Sequence, residues 1–321
     1  MKKWSMILCA IFASVALTLP ALAQDLGGKK ILFVDSYHQG YGWSDGITQG
    51  IQNAVAPTGA ELKIVRMDTK RNTDDAFKKS AALKVKELIE SYQPDAVIAA
   101  DDNASKYLIM PYYKGAKLPV VFCGVNWDVA GYGYPYANTT GMIEVTPVPQ
   151  LIEQLAPFAA GERIGFLGPE TITARKEAAN WDKSFGIKAD TYFATDYADW
   201  KKGFLALQDR VDILILDTDG GLYKDQAADM QAFVESNAKK PIGTTYDFMA
   251  PYALITFGKV AQEQGFWAGE AAAKILSGTA PADIPLVKNK EGKLIINMKI
   301  AAAVGVEVPY ELAENAERII E

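Results

Sequence analysis

Short apolar runs alternate with longer amphipathic segments along most of the chain. The run at residues 31–34 ends at Asp35, a polar and aromatic loop follows, and a helical pattern begins near Asp45. A short apolar run bounded by polar residues predicts a buried strand, and apolar positions spaced by three and four residues predict a helix. Ligands of open α/β sheets lie beyond the carboxyl ends of the strands. We therefore expect residues 35–45 to contact a ligand.

The same order of strand, loop and helix continues through the chain. It predicts further strands at 61–67, 96–100, 120–122, 139–144, 163–167, 189–193, 211–216, 242–245, 253–258 and 294–297, and helices at 74–92, 149–155, 173–185, 197–207, 226–238, 263–276 and 309–320. Such alternation predicts mainly parallel sheets with right-handed crossovers. A second unit of this kind starts near residue 139. The predicted fold class is therefore α/β, with two Rossmann-like lobes joined by hinge crossovers and a ligand cleft between them.

The restart of the pattern, and the elements that follow two complete units, predict that the chain recrosses between the lobes. We expect lobe 1 to comprise residues 24–140 and 247–286, and lobe 2 to comprise residues 141–246 and 287–321. Gly141, Met142 and Phe248 are the hinge candidates at these boundaries. Gly141 suits a changing backbone because glycine tolerates either sign of φ, and an ordinary turn glycine is the alternative.

The N-terminus has the pattern of a secretory signal peptide. Two lysines precede an apolar run at residues 6–19, and the small-residue site Ala-Leu-Ala occupies residues 21–23. The run is too short to span a membrane as a helix. We therefore expect residues 1–23 to be a signal peptide that is cleaved after Ala23, and the mature protein to be periplasmic.

The composition describes an acidic chain. Its 321 residues include 33 Lys and Arg against 39 Asp and Glu, which gives a net charge of −6. A nucleic-acid-binding surface requires a basic stripe, so no nucleic acid partner is expected. After the signal peptide the sequence retains only Cys123, inside the apolar run at 119–124. We expect a packed, unreactive thiol there, because no nearby histidine could activate it.

Polar and aromatic residues at the predicted strand ends are the candidates for ligand contact. Aromatic rings offer flat apolar walls, and carboxylates and amides fix orientation by hydrogen bonds. The candidates from lobe 1 are Ser36, Tyr37, Trp43, Asp101, Asp102, Asn103, Asn126 and Trp127, and those from lobe 2 are Thr173, Arg175, Asp217, Asp219 and Asp247. Structural alternatives stay open for some of them. Asp35 and Asp217 are equally suited to capping, Asn103 to a helix N-cap, and Trp43 to packing beneath its loop.

The charges of these loops limit the ligand. They offer many carboxylates and Arg175 as the one obvious cation, so phosphate, sulfate and dicarboxylates fit poorly. An amino acid is consistent with these charges, because Asp101, Asp219 or Asp247 can bind its ammonium group. Arg175, or hydroxyl and backbone N–H groups at helix starts, can bind its carboxylate. A sugar, polyol, nucleobase or cationic amine would use the same walls and acceptors, so these classes stay open.

An enzyme is the less favoured hypothesis. Carboxylate pairs at strand ends, Asp101 with Asp102 or Asp217 with Asp219, can serve acid–base chemistry. However, the one histidine, His38, has no nucleophile or second metal ligand beside it, and the sequence lacks G-x-S-x-G, H-E-x-x-H and G-x-x-x-x-G-K-[ST]. We expect no catalysis, no cofactor and no metal.

Six segments resemble those of one protein family over nearly the whole mature chain. They are VDSYHQGYGWSDGITQGI at 34–51, PDAVIAADDNAS at 94–105, LPVVFCGVN at 118–126, TGMIEVTPVPQLIEQL at 140–155, GFWAGEAAAKILSGTAPADIPL at 265–286 and LIINMKIAAAVGVEVPYELAENAERII at 294–320. The chain resembles a type I periplasmic binding protein, in the branch of ABC-transporter substrate-binding proteins that has tryptophan- and tyrosine-binding members.

The resemblance implies a mechanism and partners. A ligand docks on one lobe and the other lobe closes over it, with a third crossing of the chain near residues 286–288. We expect a monomer that binds a small polar solute, with an amino acid favoured and aromatic ones included. The expected protein partner is an ABC permease in the inner membrane. A sensor kinase or receptor ectodomain is the alternative, because related domains serve such sensors.

Overall fold

A computed structural model of the protein describes residues 25–218 and 226–321. The predicted signal peptide and Asp219 lie outside the described residues. The strands are β1 (Lys30–Asp35), β2 (Glu61–Arg66), β3 (Ala96–Ala100), β4 (Val120–Asn126), β5 (Thr139–Glu144), β6 (Ile164–Pro169), β7 (Asp190–Ala194), β8 (Ile213–Leu216), β9 (Ile242–Thr244), β10 (Ile255–Lys259), β11 (Val287–Lys288), β12 (Gly292–Asn297) and β13 (Arg318–Ile320).

Helices connect most of these strands. They are α1 (Gly42–Val55), α2 (Asp75–Tyr92), α3 (Asp101–Ala104), α4 (Met110–Tyr112), α5 (Val148–Leu155), α6 (Ile172–Phe185), α7 (Tyr197–Gln208), α8 (Ala227–Asn237), α9 (Ala261–Leu276), α10 (Met298–Val304) and α11 (Tyr310–Glu314). A π-helical turn at Ser105–Ile109 joins α3 to α4. None of the helices in the described part of the chain has the length and apolar character that crossing a bilayer requires.

Two sheets organise the fold. The first has the strand order β11–β5–β4–β3–β1–β2, and the second has the order β13–β12–β10–β9–β8–β6–β7. Among the described strands, β12 runs antiparallel to β10, and the other pairs run parallel. Helices cover both sheets, as the alternation of strands and helices predicts. The two-lobed α/β fold class is confirmed.

The apolar run of β1 is buried because both faces of its sheet are covered. Ile31 and Phe33 pack with α1 and α9 on one face, and Leu32 and Val34 pack in a separate cluster on the other. Successive side chains of a strand point to opposite faces, so a parallel strand between two helical layers needs apolar residues at every position. Cys123 of β4 is buried in the same way, and its thiol is free.

Helices α1 and α9 approach so closely that glycine is required between them. A β-carbon on Gly265 would lie 2.0 Å from the backbone oxygen of Ile47, and one on Gly50 would lie 2.2 Å from the backbone oxygen of Gln262. Gly46 and Gly269 face the partner helix in the same manner, so each helix carries a G-x-x-x-G spacing on the contact face. This spacing places small residues on one side of a helix. The pair fixes the segment that returns from the second lobe against the first.

The sheet membership shifts the predicted lobe boundaries. All of β5 lies in the first sheet, so the first crossing follows Glu144 rather than residue 140. The segment 247–259, which we predicted in lobe 1, belongs to lobe 2, because β10 pairs with β9. The second crossing is at Val260, between β10 and α9. Strand β11 pairs with β5 in the first sheet, so the third crossing directly follows Lys288. The expected recrossing of the chain between the lobes is present. The first two crossings lie later in the sequence than predicted, and the third lies at the end of the predicted segment 286–288.

The hinge candidates consequently do not lie at the crossings. Gly141 is inside β5, where a β-carbon would lie 2.4 Å from the ring of Phe122. Close packing against that ring, rather than a changing φ angle, requires this glycine. Met142 is buried and paired with Val287 of β11. Phe248 lies in a 3-10 turn at Asp247–Tyr252 of the second lobe and is 59% exposed.

The predicted C-terminal helix at 309–320 is wrong beyond its first half. Helix α11 ends at Glu314, and β13 pairs in parallel with β12. The segment Arg318–Ile320 contains two β-branched isoleucines, which favour a strand. The open edge of β12 provides backbone partners for it. The periodicity of the sequence did not distinguish these two states over so short a segment.

Candidate functional site

The two lobes face each other through the carboxyl ends of their parallel strands. Trp127 follows β4 of lobe 1, and its Nε1 donates to Oε2 of Glu177, on α6 of lobe 2, at 2.9 Å. Lys259 at the end of β10 forms an ion pair with Glu144 at the end of β5. These contacts join polar residues of both lobes and define the cleft.

Asp101 is a deeply buried carboxylate of the first lobe's half of the cleft. It follows β3, is 2% exposed and has a φ of 69°, a left-handed value that Asp adopts more readily than most residues. Trp43 Nε1 donates to its Oδ1 at 3.0 Å, whereas its Oδ2 is buried and accepts no hydrogen bond. Burial, with the negative charge of Glu144 as the next cause, raises the pKa of Asp101 well above its usual value. The carboxylate therefore lacks a full set of partners.

Asp102 lies next to it and is held by neutral donors. Its Oδ2 accepts from Nδ2 of Asn126 at 2.9 Å, and its Oδ1 accepts from the hydroxyl of Tyr132 at 2.7 Å. Asn103 donates from Nδ2 to Oγ1 of Thr69 at 2.9 Å and is the third residue of α3, so it is not an N-cap. These hydrogen bonds fix α3, which directly follows β3.

Ser36 and Tyr37 follow β1 and have different roles. The Ser36 hydroxyl donates to the backbone oxygen of Ala100 at 2.5 Å and accepts from the N–H of Ala104 at 2.8 Å, so it ties the loop after β1 to the end of β3 and to α3. Tyr37 is half-buried, and its pKa is raised by burial and by the charges of Asp101, Asp102 and Glu144. The Tyr37 ring therefore lies among the carboxylates, whereas the Ser36 hydroxyl is used within the lobe.

Asp217 and Tyr246 form the second lobe's half of the cleft. Asp217 follows β8, is 6% exposed, and accepts a hydrogen bond from the Tyr246 side chain. Burial raises the pKa of Asp217 to about 7. The pKa of Tyr246 is also raised, first by burial and then by the charges of Asp217 and Glu177. Glu144 of the opposite lobe raises it further, which places both lobes' acids around this ring.

Glu144 and Glu177 complete the acidic lining. Burial raises the pKa of Glu144, and the ion pair with Lys259 opposes that shift. Glu177 accepts from Nε1 of Trp127 on one oxygen and from Nε1 of Trp181, at 3.1 Å, on the other. The cleft thus holds carboxylates from both lobes, and most of their donors are neutral indole, phenol and amide groups.

Three predicted site residues of lobe 2 are exposed, and within the described residues none of them contacts the acidic lining of the cleft. Arg175 is exposed, donates from Nε to Oε1 of Glu170 at 2.6 Å, and lies over the ring of Phe193. Thr173 is an exposed residue in the first turn of α6. Asp247 is exposed, and its Oδ1 lies 2.2 Å from where a β-carbon on Gly258 would stand. The predicted carboxylate-binding role of Arg175 has no support in this geometry.

The capping alternative describes Asp35 well. Its Oδ1 accepts from the N–H of Tyr37 at 2.9 Å and from the hydroxyl of Ser44 at 2.8 Å, and its Oδ2 lies 3.3 Å from Nε of Arg66. His38 stacks on the ring of Tyr41, with its Nδ1 3.8 Å from a carboxylate oxygen of Asp68. Both residues shape the loop after β1.

Sequence reasoning missed four residues of the cleft: Glu144, Glu177, Tyr246 and Lys259. Glu144 and Lys259 are the last residues of β5 and β10, and Tyr246 closely follows β9, so the rule that selected Asp101 and Asp217 applies to them as well. Glu177 lies within α6, and no sequence pattern indicates that it belongs to the cleft. It reaches the cleft because α6 packs with one side toward lobe 1.

Comparison with known proteins identifies the family. The family model for the ABC transporter substrate binding protein matches residues 42–320. The chain belongs to this family. No curated protein sequence matches the chain significantly.

Solved structures of low sequence identity share its fold. The ligand-free, open structure of CD0873, a substrate binding protein with adhesive properties from Clostridium difficile, has a TM-score of 0.69 at 21% identity and covers 91% of this chain and 99% of its own. An ABC domain in complex with L-Trp from Streptococcus pneumoniae has a TM-score of 0.52 at 21% identity, with the same coverage. A periplasmic ribose ABC transporter from Conexibacter woesei has a TM-score of 0.54 at 15% identity, again covering 91% and 99%.

Membership of this substrate-binding family explains the arrangement of the cleft. Its members bind small-molecule ligands and work with ABC transporter permeases. The polar strand ends of two lobes surround such a ligand and remove it from water. The buried carboxylates and the half-buried aromatic rings are the groups available to do this here.

Proposed function

We propose that this protein is the periplasmic solute-binding component of an ABC uptake system. Its ligand is a small molecule with an ammonium group and a flat apolar part, an aromatic amino acid being the favoured class. The two lobes close over this ligand, and the closed protein delivers it to an inner-membrane permease. The protein acts as a monomer and performs no catalysis.

The observation that carries this proposal is the pairing of acids with aromatic rings across the cleft. Tyr37 and Trp43 from lobe 1 adjoin Asp101, and Tyr246 from lobe 2 donates to Asp217. An ammonium group needs carboxylates, and a flat apolar group needs ring faces. Both are present within one cleft, which supports a ligand that combines the two.

The contacts between the lobes support closure as the mechanism. Trp127 bonds to Glu177, and Lys183 of α6 pairs with Asp128 of lobe 1 at 2.7 Å. Each contact joins one side chain from each lobe, so a change in the angle between the lobes must break or form them. Few covalent constraints oppose such a motion, because the lobes are linked at three short crossings.

A ligand screen by thermal shift tests the proposal. The protein is unfolded and refolded to remove bound solute, and then amino acids, amines, nucleobases and sugars are added separately. A ligand that binds the native state raises the melting temperature by mass action, by the equivalent of about 2.7 kcal/mol at 100 times its Kd. The expected result is a shift with a compound that carries an ammonium group and a ring. No shift with any compound would contradict the proposal, and turnover in an activity assay would indicate an enzyme instead.

Matched variants then test the cleft as the binding site. We expect Trp127→Ala to weaken binding by more than about tenfold, because it loses a ring wall and the contact with Glu177. Trp127→Phe keeps a ring and separates the two effects. Arg175→Ala is the control, because Arg175 lies outside the cleft and pairs with Glu170. If the parent protein and Trp127→Ala bind the ligand with equal affinity, Trp127 is not part of the binding site.

A further inference from the structure

We propose that the cleft selects its ligand by positive charge, and that the ligand is an organic amine in which an α-carboxylate is not required. The inference rests on the proposed function and deepens it. It predicts that an aromatic amine binds at least as tightly as the amino acid with the same ring.

The charges of the cleft do not balance. Five carboxylates line it, from both lobes, namely Asp101, Asp102, Glu144, Glu177 and Asp217. Within the described residues, the one lysine or arginine that forms an ion pair with any of them is Lys259, which is paired with Glu144. Lys70 is exposed, and its Nζ lies 5.0 Å from the ring centroids of Tyr37 and Tyr41. Buried carboxylates without cations are costly, so a cationic ligand would be stabilised there.

Asp101 has an acceptor that the protein leaves unused. Its side chain is almost fully buried, Trp43 occupies Oδ1, and Oδ2 has no donor. The neighbouring charges on Asp102 and Glu144 are negative as well. An ammonium group has three donors and one positive charge, so it supplies both the hydrogen bond and the charge that Oδ2 lacks.

A metal ion does not fit the same groups. Metal ligands must converge at about 2–2.6 Å from one point. Among the residues that the structure describes, no three His, Cys, Asp or Glu side chains are arranged in this way. The charges of the first lobe's acids act on Tyr37, and charges of acids from both lobes act on Tyr246, so aromatic rings lie near these carboxylates. A cation attached to an organic ring matches this arrangement and gains from cation–π contact.

A ligand carboxylate finds little to bind. Lys259 is held by Glu144, and Arg175 is engaged by Glu170 on the surface of α6. Lys70 is exposed and lies over the rings of Tyr37 and Tyr41, outside the group of buried acids. A carboxylate entering the cleft would face these five acids, and every one of them that is ionised would repel it, because like charges close together in a protein cost free energy. An amine without a carboxylate keeps the attraction and avoids this repulsion.

Calorimetry with matched compounds tests the inference. The refolded protein is titrated with L-tryptophan and L-tyrosine, with tryptamine and tyramine, and with indole-3-propionate and 3-(4-hydroxyphenyl)propionate. We expect an amine to bind at least as tightly as its amino acid, and the propionates not to bind.

If an amino acid binds and its amine does not, the inference is overturned while the proposed function stands. If the thermal-shift screen finds a neutral or anionic ligand, the inference fails as well. If no compound of the screen binds, the proposed function fails with it.

A single substitution locates the ammonium site. Asp101→Asn keeps the shape, removes the charge, and suits the left-handed φ, because Asn adopts that region readily. We expect it to lower amine affinity by more than about tenfold without lowering the melting temperature, since a buried charge is removed. Asp95→Asn is the control, since Asp95 precedes β3 at the opposite end of the first sheet and pairs with Lys29. Unchanged amine affinity in Asp101→Asn would overturn the assignment.

Discussion

Asp217 should make the stability of the ligand-free protein fall as the pH rises. This carboxyl is 6% exposed, and burial raises its pKa from 3.8 to about 7. The folded state therefore holds the proton more tightly than the unfolded state does. The stabilisation is fully present below the unfolded pKa of 3.8, declines above pH 4, and is lost as the pH passes 7.

The size of this effect follows from the shift. The two pKa values differ by about 3 units, and each unit corresponds to about 1.4 kcal/mol, so the free energy of unfolding changes by at most about 4 kcal/mol. Asp217→Asn has no charge at either pH and lacks this dependence. The parent protein loses this stability between pH 4 and pH 8 and the variant does not, so the variant should gain stability relative to the parent over this range. Asp101 and Glu144 are present in both proteins and do not change the difference.

Urea unfolding, followed by circular dichroism at pH 4.5, 6 and 8, measures the difference. Asp212→Asn is a control of opposite sign, because hydrogen bonds from Arg163 hold the pKa of Asp212 at about 2. That variant should be less stable than the parent by a nearly constant amount from pH 4.5 to pH 8, because the stability that Asp212 contributes is lost only as the pH falls from about 4 to about 2. A difference between Asp217→Asn and the parent that stays constant from pH 4.5 to pH 8 would refute the reasoning.

Two further variants test the packing and the ion pair. Gly265→Ala places a β-carbon 2.0 Å from the oxygen of Ile47 and should cost about 2–3 kcal/mol in urea unfolding, whereas Gly42→Ala, which meets no atom within 4 Å, should not destabilise. Equal midpoints for both would contradict the close helix contact. Lys259→Met leaves the buried Glu144 unpaired and should cost about 3 kcal/mol at pH 8 and less at pH 5, where Glu144 is protonated more easily. Thermal melting at both pH values measures this, and a cost independent of pH would contradict it.

The fold class was predictable because the strands and helices have local signals. The run at 31–34 is apolar at every position since both faces of its sheet are covered, and Asp74 caps α2 by accepting from the N–H of Ala76 at 2.7 Å. The lobe boundaries were not predictable in this way. Whether β5 or β10 belongs to one lobe or the other depends on which strand each pairs with, and pairing partners are distant in sequence.

The site was predictable only in part, for a similar reason. Strand ends marked Asp101, Asp102 and Asp217, and the structure brings them near the same cleft. The same rule could not show that Arg175 lies outside the cleft, because the position of its side chain depends on which side of α6 faces lobe 1. Glu177, two residues further along that helix, reaches Trp127 while Arg175 pairs with Glu170. Orientation of a helix within a lobe is a tertiary property.

Stability and binding are opposed in this cleft. Without ligand, burial of Asp101, Glu144 and Asp217 raises their pKa values, so keeping them ionised near neutral pH is costly. An ammonium ligand favours the ionised forms and lowers these pKa values, so its binding releases protons, and its affinity should rise from pH 6 to pH 8. Calorimetric titrations in buffers of different ionisation enthalpy would measure the number of protons released on binding. An affinity that does not change with pH would show that the ligand's positive charge does not interact with these carboxyls.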